Sequence, residues 1–303
     1  MEATSARDPA PATVTGREAN GDGRPGALPN LIVIGAQKCG TSALHFYLGL
    51  HPEVSMSETK ELNFFIKRRN WGLGLDWYRR QFDPEVPVRG ESSPNYTAYP
   101  LFRGVPNRMR TVVPDAKLIY LVRDPLERIS AQWVHNYAKG RIEHDLSDIL
   151  SSFRRPYVAR SRYHMQLKRF LRRYSMERIL VLEQDDLRNR RAETMRRVFE
   201  FAEVDPDFSH PRFRQERHKT GRKRRLTSLG RRLEERREQA SRRLLPERAW
   251  ALARSRWPLA RPIDPPDVRE VLPERVIDAL RADAEQLSEL TGRGFDHWSI
   301  WAR

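Results

Sequence analysis

The chain has 303 residues, which corresponds to one large or two small domains and is enough for a substantial core. Its 39% hydrophobic content and seven Trp exclude a disordered protein, and no apolar run approaches the roughly 20 residues that cross a membrane. A single cysteine, Cys39, excludes an internal disulfide framework and a cysteine-rich metal site, and it indicates a reducing, cytoplasmic location.

Positive charge is the most unusual feature of the composition. The formal net charge is +16, and residues 210–243 alone contain 14 basic and 4 acidic side chains. Such a balance suits a nucleic-acid-binding protein, but it equally suits an enzyme that binds a phosphorylated nucleotide and an acidic acceptor. Residues 1–28 are rich in Ala, Pro, Gly and Thr and lack an apolar segment, so we predict a disordered N-terminal tail rather than a signal peptide.

The stretch from Leu31 to Leu50 predicts a strand, a loop and a helix in immediate succession. Residues 31–34 are apolar and mostly β-branched, which favours a buried strand. A loop of small residues, 35–42, then leads into residues 43–48, whose apolar members have helical spacing. Backbone N–H groups and the helix dipole favour an anion at such a helix N-terminus, so we predict a phosphate-binding loop.

The loop differs from a nucleotide-triphosphatase P-loop in the position of its lysine. Gly35 and Gly40 have the spacing of that motif, but Thr41 stands where the motif has its lysine. The loop's lysine is Lys38, between the two glycines. A nucleotide kinase of the P-loop type stays open as an alternative, although it needs a lysine after the second glycine.

A second parallel strand is predicted at residues 118–122, a continuous apolar run. Arg123 follows directly, at the end of the strand where open α/β sheets bind their ligands. Asp124, Pro125 and Glu127 suit the N-cap, N1 and N3 positions of the next helix, so we interpret these three as structural. Capping does not explain Arg123, whose guanidinium is suited to binding phosphate.

These motifs together resemble the PAPS-dependent sulfotransferases, and most of all the heparan-sulfate-type branch with its bacterial relatives. The residues that carry the resemblance are Gly35-Ala-Gln-Lys-Cys-Gly-Thr-Ser42, Lys60-Glu-Leu-Asn-Phe-Phe65 and Arg123-Asp-Pro-Leu-Glu-Arg128. The resemblance implies one α/β sulfotransferase domain over residues 29–303, with a P-loop-like three-layer fold and a central, mostly parallel sheet flanked by helices. It also implies PAPS (3′-phosphoadenosine 5′-phosphosulfate) as the sulfuryl donor, with no metal required.

The resemblance assigns roles to residues of the first two motifs. It implies that Lys38 stabilises the phosphosulfate and that Glu61 is the general base for the acceptor hydroxyl, as the chemistry of that group requires. It implies donor binding by the rest of the loop, namely Cys39, Gly40, Thr41 and Ser42.

The resemblance also implies how the rest of the nucleotide is bound. Arg123 would hold the 3′-phosphate together with a serine, but Ala131 stands at the usual position and Ser130 lies one residue earlier. Either Ser130 makes that contact through a local adjustment, despite a rotation of about 100° around the helix, or the hydroxyl contact is missing. A basic loop would close over the nucleotide with Arg222, Lys223, Arg224 and Arg225.

The acceptor is less well defined than the donor. Ser92 stands where the heparan-sulfate branch has a lysine near the reacting centre. This difference argues against heparan sulfate itself as the acceptor. We expect a carbohydrate or small-molecule acceptor, with an acidic one compatible with the basic charge. The second alternative is a nucleic-acid-binding protein that uses residues 210–243, but we expect no specific nucleic acid as a partner.

Overall fold

A five-stranded parallel sheet forms the centre of the fold. The structure is a computed structural model that describes residues 26–142, 156–215, 224–227, 229, 232–233 and 259–302. The strands are Leu31–Gly35 (β1), Val54–Met56 (β2), Val88–Ser92 (β3), Lys117–Val122 (β4) and Ile179–Glu183 (β5). All of β1 is buried, and so is β4 apart from Lys117, because a parallel sheet is covered on both faces.

The order of the strands places five loops at one edge. The sheet is arranged β2-β3-β1-β4-β5, and every neighbouring pair is parallel. β1 therefore lies in the middle, and the chain changes from one half of the sheet to the other after β3. In open α/β sheets, ligands bind beyond the carboxyl ends of the strands at such a switch point.

Ten helices flank this sheet in the described part of the chain. They are Thr41–Leu48, Gly74–Arg79, Val105–Val112, Pro125–Ala138, Pro156–Ser161, Tyr163–Leu171, Gln184–Asn189, Arg191–Ala202, Val268–Val271 and Glu274–Thr291, here numbered α1 to α10. The predicted α/β fold with a central, mostly parallel sheet is thereby confirmed. No described helix is both long and apolar enough to span a membrane.

The structure contains elements that the sequence analysis did not predict. Residues 184–189 form helix α7, and Asp185 and Asp186 in its first turn are favourable for the helix dipole. Residues 156–161 form helix α5. Arg224–Leu226 (β6) pairs with Ala260–Pro262 (β7) as an antiparallel ribbon, so Arg224 and Arg225 of the predicted basic loop belong to a strand.

The first described residues and the last described α-helix contact the same core. Leu28, the last residue of the predicted tail, packs against the core, and its carbonyl accepts a hydrogen bond from Arg89 Nε at 3.0 Å. Residues 1–25 of that tail lie outside the described residues. Helix α10 packs with Val276, Leu280 and Leu287 buried, because their spacing keeps them on one face of the helix.

Candidate active site

A cleft of about 1240 Å³ lies at the carboxyl edge of the sheet. The segment after each of the five strands contributes at least one residue to the lining of this cleft. From β1 to β5, these residues include Lys38, Glu61, Asn95, Arg123 and Gln184. Five separate loops therefore converge on one space because parallel strands all end on the same side.

The cleft is strongly basic. Glu61 is the only carboxylate among its described lining residues, whereas nine Lys and Arg side chains line it: Lys38, Lys60, Arg69, Arg123, Lys139, Arg141, Arg160, Arg188 and Arg191. So many cations around one cleft repel one another unless an anion binds between them, and they attract negatively charged ligands. The cleft is therefore a site for a polyanionic ligand.

The loop after β1 has the geometry of an anion-binding turn. Lys38 and Gly40 have left-handed backbones with φ of 74° and 92°, and helix α1 starts at the next residue, Thr41. No side chain caps α1, and the residues of its first turn, Thr41, Ser42 and Ala43, line the cleft. The N–H groups of a first turn point out of the helix end, so they face an anion placed there.

A fully buried arginine, Arg128, holds this loop in place by hydrogen bonds. Arg128 donates to the carbonyl of Gln37 at 3.4 Å and to the side chain of Gln132 at 2.8 Å, while it also bonds to Ser161 and to the Tyr157 carbonyl. Its environment contains no carboxylate partner among the described residues, and burial lowers the pKa of its guanidinium. Arg128 therefore fixes the loop to helices α4 and α5.

Glu61 lies on a turn with an unusual backbone. Its φ is 67°, in the left-handed region that few residues other than glycine adopt. Its N–H donates to the Ser92 carbonyl at 2.9 Å, and its carboxylate accepts from Lys60 Nζ at 3.2 Å. The side chain is 41% exposed and faces the same cleft as Lys38. The structure thus brings the two predicted catalytic residues to one cleft.

Ser92, which replaces a lysine of the heparan-sulfate branch, is part of the support beneath this turn. Its side chain is fully buried and lies 3.0 Å from His45 Nδ1. Burial, and secondarily the charge of Lys60, lowers the pKa of His45 to about 4, so the imidazole is neutral near pH 7. This neutral pair cannot supply the charge of a lysine at that position.

Arg123 reaches the cleft but is held by a neighbour. Its Nε and Nη2 both donate to one oxygen of Glu127, at 2.9 and 2.6 Å. Asp124 caps helix α4 as predicted, since its carboxylate accepts from the backbone N–H groups of Leu126 and Glu127. The side chain of Glu127 does not complete a capping box, because it pairs with Arg123 instead.

Two of the predicted donor-binding residues do not face the cleft. Cys39 is fully buried with its sulfur 3.5 Å from the hydroxyl of Tyr163, and burial raises the pKa of the thiol to about 11. Ser130 donates to the carbonyl of Pro266 at 3.4 Å, on another side of helix α4. The next residue, Ala131, is buried, and Gln132 is the neighbour that lines the cleft. The side chains of Cys39 and Ser130 therefore make no contact with the cleft.

The predicted basic loop is only partly described. Arg222 and Lys223 lie outside the described residues. Arg224 and Arg225 belong to β6, and the guanidinium of Arg225 lies 3.9 Å from the centre of the Tyr137 ring. Neither residue belongs to the described lining of the cleft, so the structure attaches this part of the segment to helix α4.

Sequence reasoning missed Arg160, the most buried arginine of the cleft lining. It is 6% exposed, lies on helix α5, and donates to the side-chain oxygens of Gln37 and Asn95. Burial, and secondarily the charge of Arg128, lowers its pKa to about 10. The segment around Arg160 shows no pattern that separates it from a surface arginine, so only the fold reveals its position.

The sheet, the left-handed loop at the start of α1 and the basic cleft define an α/β protein with an anion-binding cleft. The family model of the sulfotransferase domain matches residues 28–242. The chain therefore belongs to the family of PAPS-dependent sulfotransferases, and it is an enzyme.

Known relatives agree with this assignment. The chain is 29% identical over 208 residues to the human bifunctional heparan sulfate N-deacetylase/N-sulfotransferase 2, covering 61% of this chain and 23% of that protein. It is 28% identical over 197 residues to the human heparan sulfate glucosamine 3-O-sulfotransferase 5, covering 60% of this chain and 55% of that protein. The chain thus spans about a quarter of the first relative and about half of the second.

A solved structure supports the fold. The sulfotransferase from Alicyclobacillus acidocaldarius superposes with a TM-score of 0.64 at 23% identity, covering 90% of this chain and 99% of that one. Because identity is low, this likeness bears on the fold alone.

Proposed function

We propose that this protein transfers the sulfuryl group of PAPS to a hydroxyl of a glycan or small molecule, with Glu61 as the general base. The observation that carries the proposal is the placement of Lys38, Glu61 and Arg123 around one basic cleft. Each comes from a different strand end, and each was singled out by a separate motif. An amine acceptor is a less favoured variant of the same reaction.

The cleft has the features that the donor requires. Lys38 and the N–H groups of Gly40, Thr41 and Ser42 are suited to binding the phosphosulfate. Together they form an anion-binding site at the N-terminus of helix α1. Arg123 offers a guanidinium to the 3′-phosphate. Neither Cys39 nor Ser130 takes part through its side chain in this proposal, because both side chains point elsewhere.

The reaction needs a base and a stabilised leaving group. PAPS supplies an activated sulfuryl group: a bond forms from the acceptor oxygen to sulfur, and the bond from sulfur to the bridging phosphate oxygen breaks to leave PAP. Glu61 takes the proton from the acceptor hydroxyl, and Lys38 stabilises the negative charge that develops on the leaving oxygen. No metal has a role in this proposal, so chelation with EDTA should leave the rate unchanged.

The charge of the cleft supports an anionic acceptor. Nine basic side chains and a single carboxylate line it, and the donor-binding roles proposed above use only two of the nine. Two relatives are named as heparan sulfate sulfotransferases, one of an amine and one of a hydroxyl. An acidic glycan is therefore a suitable first acceptor to test. A cytoplasmic location remains part of the proposal and rests on the single cysteine.

The first experiment compares PAP with ATP–Mg²⁺ by calorimetry and by thermal shift. We expect PAP to bind and, at 100 times its Kd, to stabilise the fold by about 2.7 kcal/mol. Binding of ATP–Mg²⁺ without binding of PAP would instead support the kinase alternative. Tight, steeply salt-dependent binding of a DNA or RNA oligonucleotide would support the nucleic-acid alternative. An acceptor screen with labelled PAPS, read by mass spectrometry, then identifies the product.

A further inference from the structure

A chain of hydrogen bonds connects the Lys38 loop to the Glu61 turn. Arg160 donates through Nη1 to the side-chain oxygen of Gln37, next to Lys38, and through Nη2 to Asn95 Oδ1 at 3.0 Å. Asn95 Nδ2 then donates to Asn63 Oδ1 at 3.0 Å, and Asn63 Nδ2 donates to the Glu61 carbonyl at 2.6 Å. Four side chains from four different segments thus link the two sides of the cleft.

The direction of every bond in this chain is fixed at both of its ends. A guanidinium has only donors, so both amide side chains beside Arg160 must turn their oxygens toward it. The Glu61 carbonyl only accepts, so Asn63 presents its NH₂ group to that carbonyl and Asn95 presents its NH₂ group to Asn63. Without Arg160, the oxygens of Gln37 and Asn95 lose their common donor, and the Glu61 turn loses its connection to the Lys38 loop.

A separate set of bonds holds the same turn from its buried side. Ser93 Oγ donates to Glu91 at 2.6 Å and accepts from the Asn63 N–H at 2.9 Å. Two tyrosine hydroxyls, from Tyr78 and Tyr96, also donate to the buried Glu91 carboxylate. This buried support stays in place when Arg160 is removed, so the turn should remain folded but lose its connection to the Lys38 loop.

We propose that Arg160 is a positioning residue that connects the two halves of the chain Gln37–Arg160–Asn95–Asn63 and so holds the Glu61 turn at a fixed distance from the Lys38 loop. The proposal rests on the proposed function, in which Glu61 is the base and Lys38 binds the phosphosulfate. Both of these residues have left-handed backbones, with φ of 67° and 74°, and such conformations persist only where surrounding contacts enforce them. Arg160 is buried in the wall of the cleft, and its Nε has no hydrogen-bond partner in the described structure. The guanidinium therefore loses hydration by lying there.

The kinetic test is a double-mutant cycle between Arg160→Met and Glu61→Gln. Its probes are PAPS and the acceptor that the screen identifies. Arg160→Met should lower kcat by about 10²-fold, since a misplacement of about 1 Å can have that effect, while the Kd for PAP changes less than about threefold. In the Glu61→Gln background the same substitution should lower kcat by less than about threefold, because the base it positions is already absent.

Other outcomes of the cycle would overturn the proposal. Additive losses would show that Arg160 acts independently of Glu61. A loss of PAP affinity as large as the loss of kcat would make Arg160 a ligand of the donor. Full activity of Arg160→Lys would show that charge alone matters, because one ammonium group does not reproduce the planar fork that orients Gln37 and Asn95.

A structural readout separates this proposal from the proposed function. Amide hydrogen exchange of residues 58–66 should be at least about tenfold faster in Arg160→Met than in the wild type, since the turn opens more readily. Arg169→Met is the matched control, because it removes a guanidinium that stacks on Tyr99 outside the chain and should leave exchange in this segment unchanged. Unchanged exchange in Arg160→Met refutes the positioning role even if PAPS is the donor. Faster exchange in a protein that does not bind PAP supports the hydrogen-bond chain while rejecting the proposed function.

Discussion

Glu127 accepts two hydrogen bonds from the guanidinium of Arg123 on a single carboxylate oxygen, at 2.9 and 2.6 Å. The carboxylate lies one helical turn after Arg123 and is 53% exposed, whereas Arg123 is 17% exposed. Glu127 therefore occupies donors that the 3′-phosphate of PAP is proposed to use. Binding of that phosphate has to displace this carboxylate or use the three N–H donors that remain, two on Nη1 and one on Nη2.

The first prediction concerns this competition. Glu127→Gln should tighten PAP binding by about 2–5-fold, because Arg123 then no longer has to give up an ion pair. This factor corresponds to the free energy of an exposed ion pair. Arg123→Ala should weaken it by about 10–100-fold, because charged hydrogen bonds to the phosphate are lost. Calorimetry with PAP measures both changes. Adenosine 5′-phosphate, which lacks the 3′-phosphate, is the control ligand and should respond to neither substitution. Weaker PAP binding by Glu127→Gln would mean that Glu127 orients Arg123 instead of competing for it.

The second prediction separates the roles of Glu61 and Lys38. Glu61→Gln should lower kcat by about 10²–10⁴-fold, the usual contribution of a general base, and leave the Kd for PAP within about twofold. Lys38→Ala should lower kcat by about 10²–10³-fold and also weaken PAP binding, because the lysine contacts the donor. Initial rates of PAP release and calorimetry measure the two effects, and an unchanged Tm shows that each variant is folded. Retention of wild-type kcat by Glu61→Gln would remove it as the base.

Local sequence patterns were sufficient to predict the elements that carry Lys38 and Arg123, whereas Glu61 was singled out only by the family resemblance. Each follows a strand or begins a helix, so its position relative to the sheet edge depends on neighbours in sequence. The N-cap role of Asp124 was predictable for the same reason. Arg160 was not predictable, since it reaches the cleft only through the packing of helix α5 against the loop after β1.

The side chains of Cys39 and Ser130 point away from the cleft for a common reason. A motif assigns a role to a position, but the direction of a side chain depends on backbone rotation. The left-handed residues Lys38 and Gly40 flank Cys39, and its side chain points into the core toward Tyr163. On helix α4 a single residue corresponds to about 100° of rotation, which turns Ser130 toward Pro266.

The third prediction concerns the backbone at the start of helix α1. Gly40 has φ of 92°, and an added Cβ would lie 3.3 Å from Gln184 Cγ. Gly40→Ala should therefore destabilise the protein by about 1–2 kcal/mol, the range for a left-handed residue that carries a side chain. It should also weaken PAP binding, because the N–H groups that face the anion are displaced. Thermal unfolding and calorimetry measure these two changes.

Gly49, at the other end of the same helix, provides the matched control. Its φ is −71°, and an added Cβ would meet its nearest neighbours at 3.6 Å, an ordinary contact distance. Gly49→Ala should leave both stability and PAP affinity close to those of the wild type. Equal effects of the two substitutions would contradict a specific requirement for a left-handed residue at position 40.

The last prediction concerns Asp283, a buried carboxylate that caps helix α6 from helix α10. It accepts from the backbone N–H groups of His164 and Met165, at 2.8 and 3.0 Å, where α6 has no side-chain cap of its own. Burial raises the pKa of Asp283 from 3.8 to about 6, although these hydrogen bonds and Arg162 act in the opposite direction. The folded protein therefore binds this proton more tightly than the unfolded chain does.

The sign of the resulting pH dependence follows from that order of pKa values. The stability that Asp283 gains from protonation is fully present below pH 3.8 and is lost as the pH rises through about 6. The difference between the two values corresponds to about 3 kcal/mol. Asp283→Asn removes this titration, so the stability of the wild type relative to the variant should fall by about that amount between about pH 3 and pH 7. Urea unfolding of both proteins across this range measures it, and a constant difference would show that Asp283 has the same pKa in both states.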